Sequence, residues 1–202
     1  MKTIFEKYHG LDIDTSLIQL EKRKKFPVYY CYPVNAKPIG CEGCILYCFI
    51  DGYDDMVFAV NPENYGEEGQ VYPLARNFED FLRLVVACGS ANPVEQIGNM
   101  TREQFENHVK STWDSCGEEE KAVLEKIKTE LDISPMEDPY GYVKEVQQDF
   151  DGSKIIYNDA YYETLGIQRD GSPLEEKKER WRIQRNHAVS EGNEVGGKWY
   201  GE

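Results

Sequence analysis

Two short runs of apolar residues near the middle of the chain mark its clearest structural unit. The runs span residues 44–50 and 56–60, and a polar connection, residues 51–55, separates them and contains Gly52. Runs of this length around such a connection are typical of a β-hairpin. Because both faces of each run are apolar, the pattern predicts central strands that are covered on both sides.

Less regular patterns predict further elements. Residues 26–32 are rich in aromatic and β-branched side chains, and residues 154–157 show a shorter run of the same kind, so each predicts a strand. Residues 70–74 predict a short strand at a sheet edge, because Pro73 lacks the N–H that a central strand donates. The apolar positions of residues 4–20 predict short helical pieces that are interrupted near Gly10.

The second half of the chain is predicted to be mainly helical. Asn77 can cap a helix that ends at Gly89, and a capping box at Thr101 opens a helix that continues through Trp113. A similar box at Ser115 is predicted to open the next helix, whose inward positions are Val123, Leu124, Ile127 and Leu131. Other helical segments are predicted to begin at Asn92-Pro93, to run from Asp138-Pro139 to Gln148, and to span residues 174–185.

These elements predict an α+β fold, with a mostly antiparallel sheet, helices packed around it and a C-terminal helical extension. We assign residues 1–114 to the α+β core, residues 115–189 to the helical extension and the glycine-rich residues 190–202 to a flexible tail. The sequence leaves open whether the extension packs on the core or forms a separate helical lobe.

The charge of the chain is acidic and unevenly distributed. The 202 residues include 37 acidic and 23 basic ones, for a net charge of −14, and residues 38–75 contain no Lys or Arg. Nucleic-acid binding needs cations that neutralise phosphates, so this distribution argues against a nucleic-acid partner. It fits either a protein that is merely soluble or one that meets a basic partner through an acidic face. The lack of a membrane-length apolar run or a signal-peptide core predicts a cytoplasmic protein with no membrane partner.

Residues that commonly carry chemistry are scattered. Cys41 and Cys44 form a C-x-x-C pair that could hold zinc, but no second pair completes a tetrahedral site, and buried structural thiols are the simpler interpretation. The three histidines lie far apart, and no nucleotide-binding, zinc-protease or serine-hydrolase motif is present. The aspartates of residues 51–55 suit a turn and lack the spacing of a calcium loop. The sequence therefore predicts no cofactor, no metal and no catalytic residue.

One stretch of the chain resembles a known family. Residues 57–62 read Val-Phe-Ala-Val-Asn-Pro, residues 66–69 form a loop, and Leu74-Ala75 precedes a helix start, Asn-Phe-Glu-Asp-Phe-Leu, at residues 77–82. This order is similar to the SUKH superfamily, which includes the yeast cell-wall-synthesis regulator and many bacterial immunity proteins. The similarity covers about residues 39–110; the family's usual N-terminal helix is not evident before Phe26, and residues 115–202 have no counterpart. The resemblance implies a helix-wrapped α+β sheet that binds other proteins, in bacteria often a toxin, with no catalytic residues to transfer.

The charge pattern and the resemblance together predict a non-catalytic protein-binding module, with neutralisation of a basic toxin by an immunity protein as its specific form. The candidate surface combines acidic residues with tyrosines, which are common at interfaces. Its residues are Asp51, Tyr53, Asp54, Asp55, Glu63, Tyr65, Glu67 and Glu68. A solvated turn and loop is the other interpretation of this surface. The alternative functions are an enzyme whose site is assembled from scattered residues such as His108, and a zinc-stabilised regulatory protein that uses Cys41 and Cys44.

Overall fold

The structure, a computed structural model, describes residues 2–26, 28–64, 69–148 and 150–172. The chain divides into two compact units, Met1–Tyr157 and Asn158–Glu202. The helix expected at residues 174–185 and the tail expected at residues 190–202 lie outside the described residues. All of the features discussed below as candidate sites belong to the first unit.

A four-stranded antiparallel sheet forms the centre of the first unit. Its strands are β1 (Ala36–Glu42), β2 (Ile45–Ile50), β3 (Val57–Val60) and β4 (Val71–Ala75). They pair in chain order, β1-β2-β3-β4. The hairpin expected from the two apolar runs is therefore confirmed as β2 and β3, which are central, and Pro73 lies on an edge strand as predicted.

Seven α-helices occur in the described residues. Their bounds are α1 (Ile4–His9), α2 (Phe78–Cys88), α3 (Ala91–Gln96), α4 (Arg102–Ser115), α5 (Glu118–Leu131), α6 (Pro139–Gln148) and α7 (Asp159–Leu165). Short 3₁₀ helices occupy Thr15–Ile18, Ile97–Asn99 and Gly152–Lys154. The combination confirms the α+β fold, and α7 alone of these helices lies in the second unit. Within the described ranges, no helix is long and apolar enough to cross a membrane.

Local capping explains where α2 and α4 begin and where α2 ends. The Asn77 side chain accepts a hydrogen bond from the backbone N–H of Asp80 (2.8 Å). Gly89 ends α2 in the left-handed region at φ +86°. Thr101 and Gln104 form a reciprocal capping box at the start of α4. All three signals were read correctly from the sequence because each depends on residues within one turn.

One face of the sheet packs against helices from both halves of the first unit. The strand register aligns Tyr47 with Ala59 and Ala59 with Tyr72, so these side chains form a row across this face. Phe81 of α2 lies over Tyr47, with ring centroids 5.7 Å apart. The same core includes the predicted inward residues of α5, namely Val123, Leu124, Ile127 and Leu131. Residues beyond position 114 thus complete the core that the sheet begins.

Residues 26–32 do not form the predicted strand. The described part of this segment consists of turns and irregular backbone that continue to residue 35. Cys31 and Tyr32 are buried there, and the Tyr32 hydroxyl donates to the carbonyl of Cys44 (2.6 Å). Among the described residues of the segment only Cys31 and Tyr32 are buried, whereas Val28 is 86% exposed, so the aromatic and apolar pattern corresponds neither to strand pairing nor to burial of the whole segment.

The strand predicted at residues 154–157 is also absent from the structure. Its backbone is held by isolated hydrogen bonds instead: Asn35 donates to the carbonyl of Lys154 (3.1 Å) and accepts from the N–H of Ile156 (3.1 Å), and the N–H of Val34 donates to the carbonyl of Ile156 (2.8 Å). These contacts replace the ladder of hydrogen bonds that a strand would make, so the short apolar pattern alone was misleading.

One further local prediction was wrong, and one strand was not predicted. Ser115 does not cap α5; it is the last residue of α4, and its hydroxyl donates to the carbonyl of Ser111 (2.9 Å), while Gly117 occupies the cap position. Strand β1 was missed because it contains Pro38 and Gly40, which have low strand propensity. Gly40 is needed where Leu20 crosses the strand, since a Cβ there would lie 2.9 Å from the Leu20 side chain.

Candidate functional site

The structure divides the predicted surface between the two ends of β3. One group lies in the β2–β3 turn and comprises Asp51, Tyr53, Asp54 and Asp55, whereas Glu63 follows β3 at its other end. The five peptide steps from Met56 to Asn61 separate the two groups by about 17 Å, at roughly 3.3 Å per residue. The other predicted members, Tyr65, Glu67 and Glu68, lie outside the described residues. The described members of the predicted surface therefore do not form one continuous patch.

The β2–β3 turn is partly neutralised by nearby lysines. Lys37 of β1 forms an ion pair with Asp51. The ammonium group of Lys154 donates to the carbonyl of Gly52 (2.8 Å). Asp54 and Asp55 are exposed, and neither forms an ion pair within the part of the chain that the structure describes. This turn thus carries two uncompensated charges beside two cations.

Tyr53 holds the β2–β3 turn against the end of the first unit. Its hydroxyl donates to the carbonyl of Asp151 (2.7 Å) and accepts from the N–H of Lys154 (3.0 Å). Its ring lies against Phe58 and Phe150 at centroid separations of 5.2 and 5.5 Å. Tyr53 therefore has a structural role that the sequence did not reveal.

The other end of the sheet has fewer cations, and we call it the acidic end. It comprises the β1–β2 turn, with Glu42 and Gly43, and the start of the β3–β4 loop, with Asn61 and Glu63. Because β2 and β3 are neighbours, these loops lie side by side. Burial raises the pKa of the Cys44 thiol, and the adjacent Glu63 carboxylate, to which the thiol hydrogen-bonds, raises this pKa further. The thiol is thus kept in its protonated, donating form.

A fully buried carboxylate lies behind the acidic end. Glu95 of α3 is 0% exposed. It accepts hydrogen bonds from the hydroxyl of Tyr72, from Nδ2 of Asn61 (2.8 Å) and from Nε2 of Gln96. All three donors are uncharged, so hydrogen bonds alone hold this carboxylate in the core. The sequence analysis missed Glu95, for which the only signal was a charged residue inside a short apolar helix.

Glu42 is a second carboxylate that neutral donors hold. Gln19 donates through Nε2 to Oε1 of Glu42 (2.8 Å), and Asn92 donates through Nδ2 to its Oε2 (3.0 Å). The side chain is half-buried. Burial raises the pKa of Glu42, the charge of Glu95 acts in the same direction, and the hydrogen bond from Asn92 opposes both. Negative charge is thus concentrated on the inner side of the acidic end.

The hydroxyl of Tyr47 completes this buried polar group. It is fully enclosed and has no hydrogen-bond partner among the described residues. Burial raises the pKa of Tyr47 well above its ordinary value, and the charges of Glu42 and Glu95 raise it further. The phenol therefore stays protonated between two carboxylates, which adds to the polar character of this part of the core.

A cleft of about 230 Å³ opens beside Glu42. It lies between the first 3₁₀ helix, the α2–α3 corner, the second half of α4 and the first turn of α5. Its described lining contains no Lys or Arg and includes Gln19, Ser90, Asn92, His108, Ser115 and Glu120. Gln19 and Asn92 are the same two residues that hold Glu42, so they connect the cleft to the acidic end.

The thiols and histidines were the other candidates for chemistry. Among the described residues, no group of three or more His, Cys, Asp or Glu side chains is arranged to hold a metal ion. Cys41 is buried in β1 and Cys44 is half-buried at the start of β2. Cys116 lines the cleft, but burial and Glu120 raise its pKa, whereas a cysteine nucleophile needs a lowered one. The described thiols therefore give no indication of nucleophilic chemistry.

Comparison with known proteins gives no relative. No family model, no curated protein and no solved structure matches the chain. The SUKH resemblance therefore stays a prediction, and the functional argument depends on the geometry of the acidic end and its cleft.

Proposed function

We propose that this protein is a non-catalytic binding module that recognises a basic protein through the acidic end of its sheet. The observation that supports the proposal is the charge found there. Glu42, Glu63 and Glu95 lie at or behind the acidic end, and within the described residues none of them forms an ion pair with Lys or Arg. Glu95 is fully buried and Glu42 is half-buried, and carboxylates withdrawn from water without a counter-charge are unfavourable. Glu63 is exposed and can meet a cationic partner surface directly, so such a surface complements this end.

The net charge of the chain also supports a basic partner. The net charge of −14 attracts a basic partner over distances up to about a Debye length, and complementary charge raises association rates and specificity more than affinity. A basic toxin that acts on nucleic acid carries the required positive surface, because it must approach phosphates. The specific form that we propose is therefore an immunity protein of the SUKH type that neutralises such a toxin.

Capture of a partner tests this proposal. The protein would be co-expressed with the products of the genes that neighbour its own, captured by affinity, and assayed for rescue of growth. We expect one basic neighbour to be retained and its toxicity to be relieved. Absence of any basic binding partner contradicts the proposal.

Two matched double variants then locate the surface. Glu63→Lys with Glu67→Lys reverses two charges of the β3–β4 loop, and Asp54→Lys with Asp55→Lys reverses two charges of the β2–β3 turn. The first pair is expected to lower the association rate constant about tenfold at low salt and to flatten its salt dependence, because steering depends on the local potential. The second pair should change the rate less. Equal effects of the two pairs, or a larger effect at the turn, contradict the assignment to the acidic end.

A further inference from the structure

We propose that the cleft beside Glu42 binds a cationic side chain, an arginine guanidinium or a lysine ammonium, that the basic partner inserts. This inference rests on the proposed function and names the group that would occupy a specific cavity. It depends on the hydrogen-bonding capacity, the charge and the size of the cleft, which are independent of each other.

The hydroxyl groups that line the cleft have already used their hydrogens within the protein. Ser90 donates to Oε1 of Gln19 (2.6 Å), and Thr112 donates to the carbonyl of His108 (3.0 Å). The hydroxyl of Ser115 donates to backbone carbonyls of α4. Each of these oxygens keeps its lone pairs, so the cleft offers acceptors to a ligand.

The orientation of the Asn92 carboxamide makes the imidazole of His108 a further hydrogen-bond acceptor in the cleft. Because Nδ2 of Asn92 donates to Glu42, its Oδ1 faces Nε2 of His108 (3.1 Å), and that nitrogen must carry a hydrogen. In a neutral imidazole the other nitrogen, Nδ1, is then an acceptor. The opposite orientation of Asn92 would place its oxygen against the Glu42 carboxylate, which is repulsive.

The charge of the cleft selects among ligands that donate hydrogen bonds. Glu120 lines the cleft and Glu42 lies behind its two carboxamides, while the described lining contains no Lys or Arg. An anionic ligand would meet the Glu120 carboxylate directly and would be repelled by the charge of Glu42 behind the carboxamides, while Lys121, the next residue of α5, forms an ion pair with Glu118. Guanidinium and ammonium groups carry five and three donors respectively and no acceptor, so they match both the charge and the acceptors of the cleft.

The size of the cleft limits the ligand to one side-chain end. Its volume of about 230 Å³ is below the roughly 300–1,000 Å³ of pockets that enclose drug-sized ligands. Ser90 at its inner wall is 4% exposed, so part of the cleft is shielded from water. Shielding strengthens the attraction between a bound cation and Glu120 relative to an exposed surface pair.

A titration followed by NMR tests the cleft on the intact protein without the partner. The probes are N-acetyl-arginine methylamide and, as a neutral analogue of the same shape, N-acetyl-citrulline methylamide. We expect the arginine probe to shift the resonances of Ser90, Thr112 and the His108 ring, with a dissociation constant on the order of millimolar. Equal shifts with the citrulline probe, or shifts confined to other surfaces, overturn the proposal.

Matched variants assign the binding to the cleft. Glu120→Gln is expected to raise the dissociation constant of the arginine probe about three- to tenfold. Glu130→Gln changes an exposed site ten residues along the same helix and should leave this constant unchanged. Ser115→Lys supplies an ammonium group of the protein's own and is expected to abolish binding of the probe. Ser115→Ala is its control and should retain binding. Retained binding in Ser115→Lys, with a folded spectrum, overturns the proposal.

The captured partner separates this inference from the proposed function. We expect Ser115→Lys to lower the affinity for the partner at least tenfold, and we expect Ser115→Ala to leave this affinity unchanged. If Ser115→Lys leaves the partner's affinity unchanged, the module still binds a basic protein but the cleft is not used by it, and this inference is wrong. If the arginine probe binds the cleft but no basic protein is ever captured, the proposed function is wrong and a free guanidine or amine is the ligand.

Discussion

Removal of the Glu95 carboxylate is expected to destabilise the protein strongly. The substitution Glu95→Leu keeps a side chain of similar size in α3 but removes the acceptor shared by Tyr72, Asn61 and Gln96. All three donors remain in place after the change. This situation differs from replacing a whole buried polar network with apolar residues, which is often neutral or stabilising.

The magnitude follows from the exposure of each donor. The Tyr72 side chain is buried, at 2% exposure, and loss of the hydrogen bond from its hydroxyl to Glu95 is expected to cost about 1–3 kcal/mol. Asn61 and Gln96 are half-buried and can turn toward water, so each should lose only the net value of its hydrogen bond, about 0.5–1 kcal/mol. The leucine gains some apolar burial and removes a buried charge, which offsets part of the loss. The expected net loss of unfolding free energy is about 2–4 kcal/mol.

Urea denaturation followed by far-UV circular dichroism measures this loss, and thermal melts provide a second readout. At about 2–4 °C per kcal/mol for a chain of this length, the melting temperature should fall by roughly 4–16 °C. Glu130→Leu, at an exposed site, is the control and should stay within about 0.5 kcal/mol. Adding Tyr72→Phe to Glu95→Leu removes the buried hydroxyl that has lost its bond to Glu95 and should recover about 1 kcal/mol. A variant as stable as the wild type, or a double variant that recovers nothing, would refute the reasoning.

Two substitutions and one labelling experiment test separate parts of the structure. Glu42→Gln should raise stability at pH 7, because burial raises the pKa of Glu42 and its charged form opposes folding. In thermal melts this gain should disappear below pH 4.5, where the wild-type carboxyl is protonated in both the folded and the unfolded state, and a gain that does not change with pH would contradict this. Gly89→Ala should cost about 1–2 kcal/mol in urea denaturation, since φ is +86° and the new Cβ would lie 3.3 Å from side chains of α4, so a neutral result would contradict the cap assignment. In the folded protein at pH 8, a thiol reagent should modify the half-buried Cys44 well before Cys48, because Cys48 is enclosed and burial raises its pKa. Mass spectrometry measures the two rates of modification, and equal rates would contradict the packing.

The elements that could be predicted are those whose signals are local. The β2–β3 hairpin and the caps at Asn77 and Gly89 depend on neighbours within a few residues. Strand β1 exists because it pairs with β2 along a bulged register, which outweighs the poor propensity of its Pro38 and Gly40. Residues 26–32 illustrate the reverse case, because their aromatic and apolar residues have high strand propensity but find no strand to pair with, and Val28 is left 86% exposed.

The candidate site could be predicted only in part, for the same physical reason. Glu42 accepts hydrogen bonds from Gln19 and Asn92, which lie 23 and 50 residues away in the sequence. No spacing pattern in the sequence predicts such contacts. Conversely, Asp55 and Glu63 are close in sequence, yet β3 carries them to opposite ends of the sheet. The acidic composition predicts an acidic surface, while the fold determines which acidic residues share one end of the sheet.

The hydrogen-bonded chain from Glu42 through Asn92 to His108 makes the acidic end and the cleft one electrostatic unit. A cation bound in the cleft favours the ionised form of Glu42 and so lowers its pKa, which burial otherwise raises. By linkage, ionisation of Glu42 must favour cation binding by the same factor. A basic ligand in the cleft therefore offsets part of the penalty that the fold carries for Glu42 at neutral pH, so Glu42→Gln, which should stabilise the free protein, should also weaken the binding of such a ligand.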